Sequence, residues 1–533
     1  MKKVLVANRG EIALRVFRAA RDLGLATVAV AAPDDTGSLH ARSADETVEI
    51  HSYLDAAEHV RAAKESGADA IHPGYGFLAE SGDFAEAVGA AGLTWIGPPA
   101  DALRAGGDKL AAKRIAAQAG VPTVPDATEP PLIVKAAAGG GGRGMRVVRT
   151  AAELEEAVAA ARREAQAAFG DDRVYLEHYV ERPHHVEIQL LADAHGTVLA
   201  LGERDCSVQR RHQKVLEESP SPALDPDLRA RMSDAAVRFA EAIGYAGAGT
   251  AEFMLDGREF FFLELNGRIQ VEHPVTEAVT GIDLVQWQLR IARGERLDLR
   301  PELHGAAVEV RLYAEDPRTF LPQAGRIERL RLPSSVRVDA GVAEGDEVGT
   351  SYDPLIAKLI AAGATRLAAI DRLAAALAET GVTGVTTNLP FLRWLVAHPA
   401  FRAGETTTAF LVEYPPLSPP PAALPDHVWR GAFRLNLPQA RLEPPPDIDA
   451  AAHAAGEVEG SSTVLAPMPG TVIKVNVAAG AMVKARDALL VLEAMKMETP
   501  LVSPYDATVR TVHVREGDRV AGGALLVELD SAV

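Results

Sequence analysis

Short apolar runs alternate with helical stretches through the first hundred residues. KVLVAN (3–8) reads as a buried strand, GEIALRVFRAARDLG (10–24) as a helix ending in glycine, and ATVAVAA (26–32) as another strand. ADAIHPG (68–74) and LTWIGPP (93–99) repeat the strand-to-turn unit. This alternation predicts α/β architecture with a parallel sheet. Further on, LIVK (132–135), a glycine run and MRVV (145–148) predict strand, loop and strand. Thr150 and Glu153 have capping-box spacing. Leu154, Val158, Ala161 and Ala165 then share one helical face until Gly170 ends it.

The pattern breaks after Val412. Between Pro415 and Pro446 prolines and alanines crowd together, as in a linker. The last compact unit, from about Ser462, repeats internally. A shift of 37 residues superposes Val472 on Val509, Val475 on Val512, Gly480 on Gly517, Val483 on Val520 and Leu492 on Leu529. Two strand-rich halves packed as a small sandwich with pseudo-twofold symmetry are expected. Lys496, in EAMKMETP (493–500), falls at the junction of the halves, where a turn projects outward.

The length of 533 residues suits three or four domains. The expected divisions are 1–108, 109–196, 197–413, a linker at 414–461, and 462–533. A net charge of −18 argues against nucleic acid or an anionic membrane as partner. Cys206 is the single cysteine, which excludes an intrachain disulfide and fits a reducing compartment. The apolar run Val4–Ala7 is too short for a signal-peptide core, and no uncharged run approaches the ~18 residues of a membrane span. A cytoplasmic protein is expected.

Three features carry chemistry. Lys496 stands between Met495 and Met497, and an exposed lysine on a rigid turn suits attachment of a long arm. Gly139, Gly141 and Gly144 satisfy G-x-G-x-x-G by count, but a strand follows where a dinucleotide fold needs a helix. No Gly-Lys-Ser/Thr follows either, so the run reads either as a flexible glycine linker or as a hairpin loop whose backbone N–H groups fold over phosphates. Glu264 interrupts the apolar strand FFFLELN and needs a partner. With Glu252 and Asn266 it supplies hard oxygen ligands suited to Mg²⁺ or Mn²⁺.

APMPG (466–470) followed by EAMKMET resembles the biotinyl carrier domain of biotin-dependent carboxylases. Lipoyl domains share that fold, but their lysine usually has other neighbours. The first ~410 residues resemble biotin carboxylase, an ATP-grasp enzyme. ANRGEIALR (7–15), HPGYGFLAE (72–80), GDKLAAK (107–113), KAAAGGGGRGM (135–145), HVEIQ (185–189), ERDCSVQRRHQKVLEESP (203–220), GTAEF (249–253), FLELNGRIQVEHPVTE (262–277), VEVRLYAEDP (308–317) and SYDPLIAKLI (351–360) occur in the family's order.

The resemblance implies an α/β and α+β multidomain chain: a Rossmann-like N-terminal domain, a lid, a C-terminal domain and an all-β biotinyl domain. It implies that Lys109 and Lys135 contact ATP phosphates, and that Gly141, Gly142, Gly144 and Met145 cover the nucleotide. Glu177, His178 and Val180 match adenine-holding positions, and His185, Gln209 and His212 match other nucleotide positions. Glu252, Glu264 and Asn266 match the ligands of two Mg²⁺ or Mn²⁺ ions. By the same resemblance Glu272 is the base for bicarbonate, Arg268 and Lys214 hold it, and Arg311 stabilises the enolate on the biotin ureido oxygen. The expected cofactors are biotin on Lys496, ATP and metal, with bicarbonate as substrate. The expected partners are a carboxyltransferase (beta) subunit, which chooses the acyl-CoA, and biotin protein ligase. A homo- or hetero-oligomer is expected.

The chain departs from the family pattern at three places. Residues 123–131 are about one helix short at the root of the lid, and Gly267 stands where a threonine is usual, loosening the backbone beside Asn266. Segment 414–461 is much shorter than the usual partner-docking domain, with VWRGAFRLN (428–436) as its remnant. A biotinylated carrier on an inactive or partner-activated carboxylase scaffold is the alternative reading.

Overall fold

The computed structural model describes residues 1–137, 145–210, 213–418, 463–468, 470–494 and 497–531. Gly141, Gly142, Gly144, His212, Lys496 and segment 428–436 lie outside the described residues.

The N-terminal alternation folds into a parallel sheet. β1 (Lys3–Val6) lies at its centre, flanked by β2 (Ala26–Ala31) and β4 (Ala70–His72). β3 (Glu46–Glu49) and β5 (Thr94–Trp95) complete the order β3-β2-β1-β4-β5. Val4, Leu5 and Val6 are all fully buried, as a central strand covered on both faces requires. The helix Gly10–Asp22 packs Ile12, Val16 and Phe17 against this core.

The predicted strand, loop and strand are present as β6 (Leu132–Ala136) paired antiparallel with β7 (Arg146–Val148). β8 (Val174–His178) flanks β6 on its other side. The helix Leu154–Phe169 covers this small sheet with Leu154, Val158 and Ala161, and Gly170 ends it in the left-handed region. Its start differs from the capping-box expectation. A 3₁₀ turn, Ala151–Glu153, precedes it with Thr150 at its N-cap; the Thr150 side chain makes no cap bond, while Glu153 accepts from the Arg149 N–H at 3.0 Å and also bonds Thr150. The shortened segment before β6 is tied down at both ends. Phe262 N–H donates to Pro122 O at 2.8 Å and His178 N–H to Pro125 O at 3.0 Å at its start, and Tyr179 N–H donates to Pro131 O at 3.1 Å at its end.

An eight-stranded sheet lies between the N-terminal parallel sheet and the C-terminal unit in sequence. Its strands are β9 (His184–Ala192), β10 (Val198–Asp205), β13 (Leu216–Ser219), β14 (Gly247–Asp256), β15 (Glu259–Asn266), β16 (Ala306–Tyr313), Leu355–Gly363 and Arg337–Ala340. The order is β15-β14-β9-β10-β13-β16, then Leu355–Gly363 and Arg337–Ala340. The short pair β11 (Gln209–Arg210) and β12 (Gln213–Lys214) sits between β10 and β13 in sequence. The expected division at 196/197 falls in the turn between β9 and β10, which pair along their length.

The C-terminal unit is the expected sandwich. One sheet runs Met497–Val502, Ala488–Ala494, Gly470–Val475, Arg519–Val520; the other runs Thr463–Leu465, Leu525–Ser531, Ala507–Val512, Met482–Val483. The 37-residue shift maps each sheet on the other. Gly480 and Gly517 have φ of +89° and +91°, and each donates its N–H at 2.7 Å to the equivalent carbonyl, Val509 or Val472.

Candidate active site

Side chains alternate faces along a strand, so every second residue of the large sheet points one way. On β9 these are His185, Glu187 and Gln189. Glu187 lies in register with Glu252 of β14 on one side and Arg204 of β10 on the other, and Glu252 lies opposite Glu264 of β15. Thr250 faces Asn266 one step along, and Arg311 shares its face of β16 with Glu309. A row of charged groups on a sheet that is otherwise apolar must be paired to be tolerated.

Lys214 is the hub of that pairing. Its Nζ donates to Glu187 at 2.5 Å, Glu272 at 2.7 Å and Glu252 at 2.9 Å. Burial would discharge the ammonium, but the three carboxylates outweigh it and hold its pKa well above the ordinary lysine value. Burial also opposes the charge on Glu272, yet Lys214, Arg311 and Arg204 hold it far below the usual carboxylate range. Lys214 and His185 do the same for Glu252, and His185 Nε2 lies 2.9 Å from it.

Arg311 bridges Glu272 at 3.0 Å and Glu217 at 2.5 Å. Arg268 donates to Glu80 at 2.9 Å and to the Asn266 oxygen at 2.8 Å. Gly267 is not loosened, contrary to the expectation. Its N–H donates to Glu80 at 3.1 Å, and Leu103 occupies the space a Cβ would take, 2.7 Å from it.

Two cavities meet at the metal-type carboxylates. A cavity of about 250 Å³ is lined by Lys214, Arg268, Glu272 and Arg311 together with His185, Glu252, Glu264 and Asn266. A second, of about 230 Å³, is lined by Lys109, Lys135, Met145, His178, Val180 and Gln209, again with His185, Glu252 and Glu264. The second has an apolar floor in Ile133, Met254 and Leu263 and cations at its edge, which suits a base with a phosphate tail. The shared wall offers the carboxylates of Glu252 and Glu264, and the Asn266 amide oxygen lines the first cavity beside them, a donor set that fits Mg²⁺ or Mn²⁺.

Most sequence-predicted residues are therefore brought together. Glu177 is the departure. Its side chain does not line the second cavity; it binds Lys135 and Lys113, each at 2.7 Å, because β8 turns that face toward the lysines of β6 and the helix Lys109–Gln118.

The sequence reading did not single out Arg204, Glu187, Gln270, Lys113 or Glu80. Arg204 is fully buried and donates to Glu187, Gln189, Thr276, Thr250 and Gln270 at 2.5–3.1 Å. Gln270 in turn donates to Glu252 at 2.7 Å. Glu187 in HVEIQLLA carried the signal that Glu264 did, a lone carboxylate in an apolar strand. Cys206 is buried here too. Burial and Glu187 push its thiol pKa well up, so it is a neutral packing group.

Four family models match the chain. They are "Biotin carboxylase, N-terminal domain" over 1–103, "Carbamoyl-phosphate synthase L chain, ATP binding domain" over 108–300, "Biotin carboxylase C-terminal domain" over 309–413, and "Biotin-requiring enzyme" over 462–529. The chain is 48% identical over 439 residues to the biotin carboxylase of Haemophilus influenzae, covering 77% of this chain and 98% of that protein. It is 44% identical over 505 residues to the propionyl-CoA carboxylase alpha chain of Ruegeria pomeroyi, covering 86% and 72%.

Against the mitochondrial methylcrotonoyl-CoA carboxylase subunit alpha of Glycine max it is 49% identical over 444 residues, covering 78% of this chain and 61% of that protein. The chain thus spans about three-fifths of that relative. Among solved structures, the biotin carboxylase domain of Hydrogenobacter thermophilus 2-oxoglutarate carboxylase, with MgADP, ADP and bicarbonate, has a TM-score of 0.76 and 44% identity, covering 78% and 98%. Biotin carboxylase of Campylobacter jejuni, with a β-γ-ATP complex, has a TM-score of 0.76 and 39% identity, covering 78% and 99%. The sheet, its charged row and these matches agree: the chain belongs to the biotin carboxylase family and carries a biotinyl-type domain at its C-terminal end.

Proposed function

We propose that this chain uses ATP and bicarbonate to carboxylate biotin attached to its own Lys496, and passes the carboxyl group to a separate carboxyltransferase subunit acting on an acyl-CoA. The supporting observation is the shared wall. Glu252 and Glu264 stand between a nucleotide-shaped cavity and a cavity rich in Lys and Arg, where the γ-phosphate and bicarbonate must meet. Mg²⁺ or Mn²⁺ held by Glu252, Glu264 and Asn266 would neutralise the charge of the transferring phosphoryl group. Lys109 and Lys135 bind the phosphates, while Met145, His178 and Val180 pack on the base and Gln209 lines the same cavity.

Lys214 and Arg268 orient bicarbonate, and Glu272 takes its proton as the bicarbonate oxygen attacks the γ-phosphorus, with ADP as the leaving group, to give carboxyphosphate. Glu272 is a weak base while Lys214 and Arg311 both pair with it. An anion that draws those cations off raises its basicity when a base is needed. Carboxyphosphate then breaks its C–O bond to give CO₂ and phosphate beside Arg311; the phosphate takes the proton from the biotin ureido nitrogen while Arg311 stabilises negative charge on the ureido oxygen. Biotin supplies the ureido nitrogen that takes up the carboxyl group.

The acceptor is an acyl-CoA of the acetyl-, propionyl- or methylcrotonyl-CoA class. A biotin protein ligase loads Lys496, and the chain works as part of a homo- or hetero-oligomer in the cytoplasm. A single buried cysteine fits that compartment. No helix among the described residues is long and apolar enough to cross a membrane. The test is bicarbonate-dependent ATP hydrolysis by the purified chain in Mg²⁺, with and without free biotin. Stimulation by biotin is expected; hydrolysis that ignores biotin in a folded chain contradicts the reading.

A further inference from the structure

Met468 is 1% exposed, yet it is not part of the apolar core of the C-terminal sandwich. It packs instead on Leu321 of the carboxylase part, itself 4% exposed. Leu321 belongs to a tightly built loop. Glu315 bridges Pro322, Asp316 N–H donates to Leu321 O at 2.9 Å, and Phe320 is held at a φ of +57°. Arg210 fixes that loop, donating to Phe320 O at 2.9 Å with its guanidinium 4.9 Å from the Phe320 ring centroid. Glu315 and Pro322 line the cavity that holds Glu272 and Arg311, so Leu321 sits on its rim.

On the other side, Met468 lies two residues before the strand Gly470–Val475. Thr471 of that strand is in register with Glu493, and Ala494 pairs with Met497 across residues 495–496. Met468 is therefore at the end of the sandwich that bears the attachment lysine. An unbranched thioether adapts to a partner surface better than a branched side chain does.

We propose that Leu321 and Met468 form a docking contact by which the carboxylase part recognises this chain's own carrier, independently of the biotin it bears. This rests on the carboxylase reading above. The contact brings the attachment end of the carrier to the rim of the bicarbonate cavity.

The test compares two turnovers of the full-length biotinylated chain: ATP hydrolysis stimulated by free biotin, and transfer of labelled bicarbonate to the chain's own biotin. Leu321→Glu and Met468→Glu should each slow own-carrier loading by about tenfold, the scale of losing a buried interface side chain. Hydrolysis with free biotin should stay near the unmodified rate, and Leu321→Lys combined with Met468→Glu should restore loading. Unchanged own-carrier loading in Met468→Glu overturns the proposal, as does loss of both turnovers in that variant. Met468→Glu lies outside the carboxylase part, so it decides the matter even if Leu321→Glu disturbs its loop. If free biotin gives no stimulation in the unmodified chain, the carboxylase reading fails. Docking is then read without turnover from disulfide formation in L321C/M468C, since Cys206 is buried. Fast disulfide formation supports the contact and its absence overturns it.

Discussion

Arg204 shows how a residue with no solvent contact can govern chemistry. It fixes Glu187, one of the three carboxylates around Lys214, and Gln270, which donates to Glu252. Replacing Arg204 with Met keeps much of the volume and removes five hydrogen-bond partners. We expect Arg204→Met to raise the Mg²⁺ concentration for half-maximal ATP hydrolysis about 10–100-fold, the usual range for groups behind metal ligands. A titration unchanged in a folded variant would refute its positioning role. Arg311→Ala should lose biotin carboxylation by about 10²–10³-fold while keeping most ATP affinity; equal loss of both in ATP titrations would count against the role given to Arg311.

Behind Arg311, Glu217 and Glu309 are fully buried directly opposite each other. Burial pushes Glu217 up to about 7, with Arg311 opposing and Glu272 adding to the rise. Burial likewise pushes Glu309 well above its ordinary value. A carboxyl raised in the folded state contributes its stability below its ordinary pKa of 4.5, and that contribution is lost as pH rises through about 7. Glu217→Gln has no such proton to lose. Thermal unfolding of both proteins should show the unmodified chain losing stability relative to Glu217→Gln between mildly acidic and mildly alkaline pH. Parallel profiles would contradict the assignment.

At the scale of elements, the strands announce the site. Alternation in HVEIQLLA and the interruption of FFFLELN by Glu264 both mark one polar face of an apolar sheet, and both were readable. Register between distant strands was not readable. Arg204 meets Glu187 only because β9 and β10 pair, and Glu177 meets Lys113 only because β8 folds over the helix Lys109–Gln118. Helical structure does begin after Thr150, but with a 3₁₀ turn and no side-chain cap from Thr150, because Glu153 also serves the Arg149 N–H.

The sandwich was legible for another reason: its two halves solve the same packing problem with the same sequence pattern. Gly480 and Gly517 both have positive φ, and an added Cβ at either would meet open space. Substitution by alanine should therefore cost backbone strain alone, about 1 kcal/mol at each site. Hydrogen exchange of the sandwich strands in the full chain should rise similarly for both variants; a large difference would contradict their equivalence.

For the whole molecule, the chain places a loading site and a carrier on one polypeptide. The family's short, ordered motifs made that organisation legible, because several of them carry residues that line the two cavities. What they could not reveal was how the carrier meets the loading site. That depends on single apolar residues such as Leu321 and Met468, which look unremarkable in sequence.

The shortened segment before the lid is laced to β15 and β8, so the two cavities keep a common wall. The most direct test of the account is transfer of labelled bicarbonate to the purified, biotinylated chain without any partner subunit. The account predicts ATP-dependent incorporation that disappears in Lys496→Ala. Incorporation that persists in Lys496→Ala, or none in a folded chain biotinylated at Lys496, would contradict it.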